Sequence, residues 1–202
     1  MKGLLWKDFL NVKVHALHYG LCVAIFAALS VWMKNAYFFL GMMLFLSVSI
    51  TISSMNFDEL DRWDRFAVTS GVPRKKIVGE KYLFSAIFVG GLFLLGSLLC
   101  LFSGVSGQDW LSLPVYLCVS VIIVDIILPL FFRFGVEKSR FLYIFCVLAG
   151  MLVVAGSGFL IGGQNAKNIL LVLCVIAAAV AVLGTIVSVF VSMKIMEKKE
   201  FS

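Results

Sequence analysis

Charge is scarce in this sequence. Only 14% of its 202 residues are Asp, Glu, Lys or Arg, against about 25% in an ordinary soluble domain. Proline is rarer still, with three copies, whereas 62% of the chain is apolar and nineteen residues are Phe. A soluble domain of this size buries only about 70% of its chain surface, too little to hide so much hydrocarbon. The solvent for most of the chain is therefore lipid, and a disordered chain or a soluble basic module is excluded. Cysteine offers no framework either: Cys22, Cys100, Cys118, Cys146 and Cys174 all lie in apolar stretches, none as C-x-x-C, and five is an odd number. They read as small buried hydrophobes. The sequence has no G-x-x-x-x-G-K-[ST] loop, so it has no phosphate cradle of that kind and must take energy from a partner or a gradient. It has no H-E-x-x-H. His15 and His18 read as rim residues, with no acid or Cys spaced to complete a metal site. Ala155-Gly-Ser-Gly158 approaches the G-x-S-G of an intramembrane serine protease, but no His follows it, and a Ser–His pair is hard to build.

What the sequence has is long apolar runs. A spanning helix needs about 20 such residues, and six segments qualify: about 16–33, 35–56, 82–104, 110–132, 141–162 and 168–193. The predicted fold is an all-α integral membrane domain of six transmembrane helices. Residues 1–14 are expected to form an interfacial helix, with Leu4, Leu5, Phe9 and Val12 at helical spacing, Trp6 as an anchor and Lys2, Lys7 and Lys13 toward headgroups. No small-residue cleavage site follows the first run, so it is not read as a cleaved signal.

Lys and Arg set the expected orientation. With the N-terminus inside, fifteen of the seventeen cations fall on inner segments, and only Lys34 and Lys167 fall outside. Both termini are then cytoplasmic, the outer loops are very short, and a partner would dock from the cytoplasm. The net charge of +6 thus reads as membrane topology, not nucleic-acid binding.

The longest polar stretch, Asn56 to Lys81, lies between spans two and three. Asn56 and Glu59 have capping-box spacing, acids crowd the following turn, and Gly71 with Pro73 marks a stop. A helix is expected over 57–70, about 21 Å long at 1.5 Å per residue. Leu60, Trp63 and Ala67 fall on one side with Phe66 beside them, and Asp58, Asp61, Arg62 and Arg65 surround that stripe. The Trp63–Phe66 pair could anchor a partner; alternatively the stripe lies on the membrane surface. The shorter inner segment Phe132 to Arg140 carries Arg133, Gly135, Glu137, Lys138 and Arg140.

Inside the spans, Asp125 is the only acid, and an intramembrane acid is a functional candidate by default. It could line a substrate path, bond to a neighbouring helix, or pair with Arg133. Pro129, four residues on, is expected to kink the helix and free the Asp125 carbonyl. Gly158 and Gly162 form a small-x-x-x-small pair that permits close packing.

Phe57-Asp-Glu…Trp63…Pro73-x-x-Lys76-Ile-Val…Lys81-Tyr82 resembles the first cytoplasmic loop of small bacterial ABC-2-type transporter permeases. Leu128-Pro129…Arg133-Phe134-Gly135-x-Glu137-Lys138-x-Arg140 resembles their second, and Met1-Lys-Gly-Leu-Leu-Trp-Lys-Asp8 is similar to their N-terminal elbow. Among these, the chain resembles the permease of phenol-soluble-modulin and antimicrobial peptide exporters of Gram-positive bacteria. The resemblance implies a homodimer in the cell membrane bound to two cytoplasmic ATPase subunits that hold ATP and Mg. It implies a coupling helix carrying Asp58, Glu59, Asp61, Arg62, Trp63, Arg65 and Phe66 in an ATPase cleft, and a second contact at Arg133–Arg140. Export of an amphipathic peptide or other apolar substrate is the expected function, with no catalytic residue and no metal in this chain. A membrane protein that binds a toxic peptide without moving it has the same loops. A membrane enzyme would need convergent polar groups that the spans lack.

Overall fold

The computed structural model describes residues 2–33, 37–102, 107–160 and 166–199. All of its regular structure there is helical: α1 (Lys2–Met33), α2 (Tyr37–Leu60), α3 (Trp63–Thr69), α4 (Arg74–Phe102), α5 (Gly107–Phe134), α6 (Val136–Leu160) and α7 (Ala166–Lys198). In hydrocarbon a helix satisfies its own backbone polar groups, which is why uninterrupted apolar runs become helices. Among the described residues, five helices are long and apolar enough to cross a membrane: α1, α2, α4, α5 and α7. The expected fifth of six spans coincides with α6, whose residues 153–160 have side chains outside those described. Lys34, residues 103–106, residues 161–165 and the Gly158–Gly162 pair as a packing surface also lie outside the described residues.

Two boundaries differ from the expected ones. The helix expected at 1–14 is not separate, because α1 runs unbroken through 32 residues. No proline interrupts it, and Gly20 meets nothing that would bend it. At 1.5 Å per residue the rod is about 48 Å long, beyond the roughly 30 Å of hydrocarbon. The helix expected over 57–70 is divided. Its first residues complete α2, and only seven residues form α3.

α2 and α5 occupy the middle of the bundle. Of the apolar stretch of α2, 67% is buried, against 6% for α1 and 11% for α7. α1 packs on α2, α6 and α7 pack on α5, and α4 lies between α2, α5 and α7. The main core is built from Leu44, Val48, Val78, Ile127, Phe131 and Met196. The outward faces of α1 and α7, with residues such as Leu17 and Phe190 exposed, suit contact with lipid.

Candidate functional site at the charged end

All seven helices have an end at one end of the bundle, and the break between α2 and α3 organises them. α2 closes as the Arg62 N–H bonds the Glu59 carbonyl, and Arg62 then takes a left-handed conformation with φ 50°. Such a conformation costs a non-glycine residue roughly 1–2 kcal/mol, so contacts on both sides must hold it. α3 ends at Gly71, φ 82°, where the Gly71 N–H bonds the Val68 carbonyl and the Val72 N–H bonds the Ala67 carbonyl. That paired closure is the glycine stop the sequence implied.

The break re-sorts the expected stripe. Trp63 is half-buried and Ala67 is 1% exposed, packing on the main core, whereas Leu60 and Phe66 are 71% and 59% exposed. Trp63 and Phe66 keep ring contact at 5.4 Å, but the aromatic ring offered outward is Phe66. Asp61, Arg62 and Arg65 are also exposed, while Asp58 is buried.

Glu59 does not serve an Asn56 capping box. Its carboxylate instead accepts the backbone N–H of Val136, the first residue of α6. α5 and α6 are separated by a single residue, Gly135, at φ 80°, and a Cβ there would sit 2.7 Å from Glu59 Oε1. Glu59 thus joins the two predicted contact segments directly. Of the second segment, Arg133, Glu137 and Lys138 are exposed. The Arg133 guanidinium lies 5.0 Å over the Phe134 ring, and the side chain of Arg140 is outside the described residues. Between α2–α3 and the α5–α6 turn lies an open notch of about 410 Å³, lined by Met55, Phe131 and Phe132, by Arg62, Arg65 and Lys199, and by Asp58, Glu59 and Asp64. Asp64 faces Lys199 at 3.7 Å. Burial pushes the Asp64 carboxyl above the usual carboxylate range, and Lys199 opposes that rise. The end of α7 is held from the other side, where Arg74 donates to the carbonyls of Met196 and Glu197.

Behind α3 lies a buried charge cluster that the sequence reading did not assemble. Lys81, 2% exposed, donates to Asp8 Oδ2 at 2.6 Å and to Ser54 Oγ at 2.7 Å, and stands 2.6 Å from Asp58 Oδ2. The Ser54 hydroxyl donates to Asp8 Oδ2 at 2.8 Å. Lys7 bonds Asp58 and stands 3.1 Å from Asp8, with its ammonium 4.5 Å from the centre of the Trp63 ring. Glu80, 1% exposed, lies beside them with Oε1 unpartnered. One cluster therefore binds α1, α2 and α4, and touches α3. The signal was present: Asp8 interrupts the stripe Leu4, Val12, and Lys81 interrupts the buried stripe Ile77, Ser85, both at helical i, i+4 spacing.

Asp125, 6% exposed, faces α7, with Oδ2 lying 3.6 Å from the point a Cβ would occupy at Gly184. Its carbonyl, which Pro129 cannot serve, accepts the Ser188 hydroxyl. Tyr82 bonds both Ser188 and Ser192, the latter at 2.8 Å. Asp125 thus faces α7, and among the described residues no ion pair joins it to Arg133, which is exposed against Phe134. Among the described residues no group of three or more His, Cys, Asp and Glu could hold a metal ion.

A family model described as ABC-2 family transporter protein matches residues 3–197 of this chain. No curated protein and no solved structure matches it.

Proposed function

Since the chain belongs to the ABC-2 family of transporter proteins, we propose that it is the permease subunit of an ATP-driven exporter and that its charged end docks a cytoplasmic ATPase. The observation that carries this reading is the construction of that end. α3 hangs from a held break; it and the joint before it turn Leu60, Arg62, Arg65 and Phe66 outward, beside a notch lined by apolar residues and by charges of both signs. An exposed aromatic beside arginines has the composition of an interface anchor. The excess of Lys and Arg at this end supports placing it, and both termini, on the cytoplasmic side of the cell membrane.

In this reading two copies of the chain form the transporter, and each engages one ATPase. The ATPase subunits hold ATP and Mg and supply the chemistry. This chain supplies a surface to push and a bundle that can repack. When the ATPases close, α3 follows, and α2 and α4, covalently attached at either end of it, shift against α5 and α7. Closely packed helices switch between discrete arrangements, so a small displacement at one end changes the packing along the bundle. The substrate this suits is an amphipathic peptide or another apolar molecule, of the kind moved by peptide exporters of Gram-positive bacteria. Such a molecule can enter from the inner leaflet along the apolar outer faces.

The test is capture of the ATPase encoded beside this chain, from membranes expressing both. Phe66→Asp places a charge at the proposed anchor without touching the core and is expected to weaken capture by about 30-fold, the effect of a hot-spot loss near 2 kcal/mol. Phe66→Tyr should retain it. Full capture by Phe66→Asp would place the interface elsewhere.

A further inference from the structure

We propose that Lys7 is a positioning residue that makes the first turns of α1 move with α3. The inference rests on the ATPase reading above, and it concerns how a push on α3 reaches a helix to which α3 is not joined in sequence. α1 is the most weakly buried of the candidate spans, with 6% of its apolar stretch covered, so little apolar packing compels it to follow its neighbours. At the charged end the situation differs. Asp8 is 0% exposed, fixed by Lys81 and Ser54. Lys7, its neighbour, points one way into the cluster, onto Asp58 and Asp8, and the other way onto the face of Trp63. Trp63 is the first residue of α3. A cation over an indole face, with carboxylates behind it, is attracted from both sides. Moving the Trp63 ring therefore pulls on Lys7, and Lys7 is part of an unbroken helix.

The chemistry also separates Lys7 from Lys81. Lys81 lies deepest, between Asp8 and Asp58, and pairs with both. With Lys7 removed, each of these carboxylates keeps an ammonium at 2.6 Å. Lys7→Met should accordingly fold, keep α1 docked and keep the exposed face of α3, while losing the link to Trp63.

The experiment uses the full chain with its ATPase in nanodiscs, the five native cysteines replaced by alanine. Spin labels are placed at Ile126 of α5 as reference and at either Thr69 of α3 or Lys13 of α1, three exposed positions. Distances are measured without nucleotide and after trapping with ADP and vanadate. In the parent protein both distances should change on trapping. In Lys7→Met the Thr69 distance should still change in full and the Lys13 change should shrink, since α1 then follows only through Asp8; Lys7→Arg, which keeps a cation over the ring, should restore it. Trp63→Leu, which removes the same contact but leaves both ion pairs, should reproduce the reduction. A Lys13 change undiminished in Lys7→Met and in Trp63→Leu overturns the inference, as does a Lys13 distance that never responds. Failure of the parent chain to capture an ATPase, or a motionless Thr69, defeats the ATPase reading itself and this inference with it.

Discussion

Lys81→Met is expected to be the most damaging single change at the charged end. It removes an ammonium that is 2% exposed and lies 2.6 Å from carboxylates on two other helices. Breaking a buried ion pair on one side typically costs about 3–5 kcal/mol, because the surviving charge has no water to return to. Here two acids lose their inner partner, and Lys7 alone remains to face both. At about 2–4 °C per kcal/mol for a chain of this length, the thermal midpoint in nanodiscs should fall by roughly 10 °C. The same argument predicts recovery. Adding Asp8→Asn and Asp58→Asn to Lys81→Met removes the stranded charges and should restore much of the loss. Glu80→Gln offers the contrast. Glu80 lies within hydrogen-bond reach of Asp8, and an amide at position 80 can donate to that carboxylate without adding charge to the cluster, so the midpoint should be unchanged or higher. A fall with Glu80→Gln equal to that with Lys81→Met would refute the electrostatic account of this cluster.

Gly135→Ala is expected to be the second largest. Position 135 has φ 80°, and the new methyl would stand 2.7 Å from Glu59 Oε1. The left-handed backbone alone costs roughly 1–2 kcal/mol in an L-residue. The carboxylate is at the end of a flexible side chain and can retreat, but it then abandons the Val136 N–H, and an orphaned buried donor costs about 1–3 kcal/mol. A total near 3 kcal/mol follows from these two terms. Because the lost Val136 bond passes through Glu59 and the backbone term does not, Glu59→Ala combined with Gly135→Ala should cost less than the two added separately. Thermal midpoints of the single and double variants measure this directly. Strict additivity would mean that Glu59 and Gly135 act independently. The pair also bears on docking, since Glu59 holds the start of α6 to the end of α2, just before α3. Loosening it should lower ATPase capture even though Phe66 is untouched.

These two sites show what the sequence reveals and what it conceals. The apolar runs announce the long helices, because a bilayer leaves the backbone no other way to satisfy its polar groups. Gly71 and Pro73 mark the end of α3 because a left-handed glycine is a local requirement. The division of 57–70 was not legible. Nothing local forbids helix at Asp61 and Arg62, and the break is held by contacts from elsewhere: Glu59 drawn to Val136, Trp63 drawn under Lys7. A capping box and a long-range cap use the same glutamate, and spacing alone cannot separate them. The buried cluster was half legible. Asp8 and Lys81 each stand in an apolar stripe, yet residues 73 positions apart become partners only once the helices are arranged. Asp125 follows the same rule. Its cost in lipid marks it at once, whereas its pairing with α7 depends on a carbonyl that Pro129 releases to Ser188.

The unbroken course of α1 has a mechanical meaning. A jointed elbow would absorb a disturbance at the charged end before it reached the spanning part. A single rod of 32 residues cannot: whatever tilts its first turns tilts its far tip in the opposite sense about the bilayer midplane. In the proposed reading, one stiff lever thereby links the two ends of the bundle.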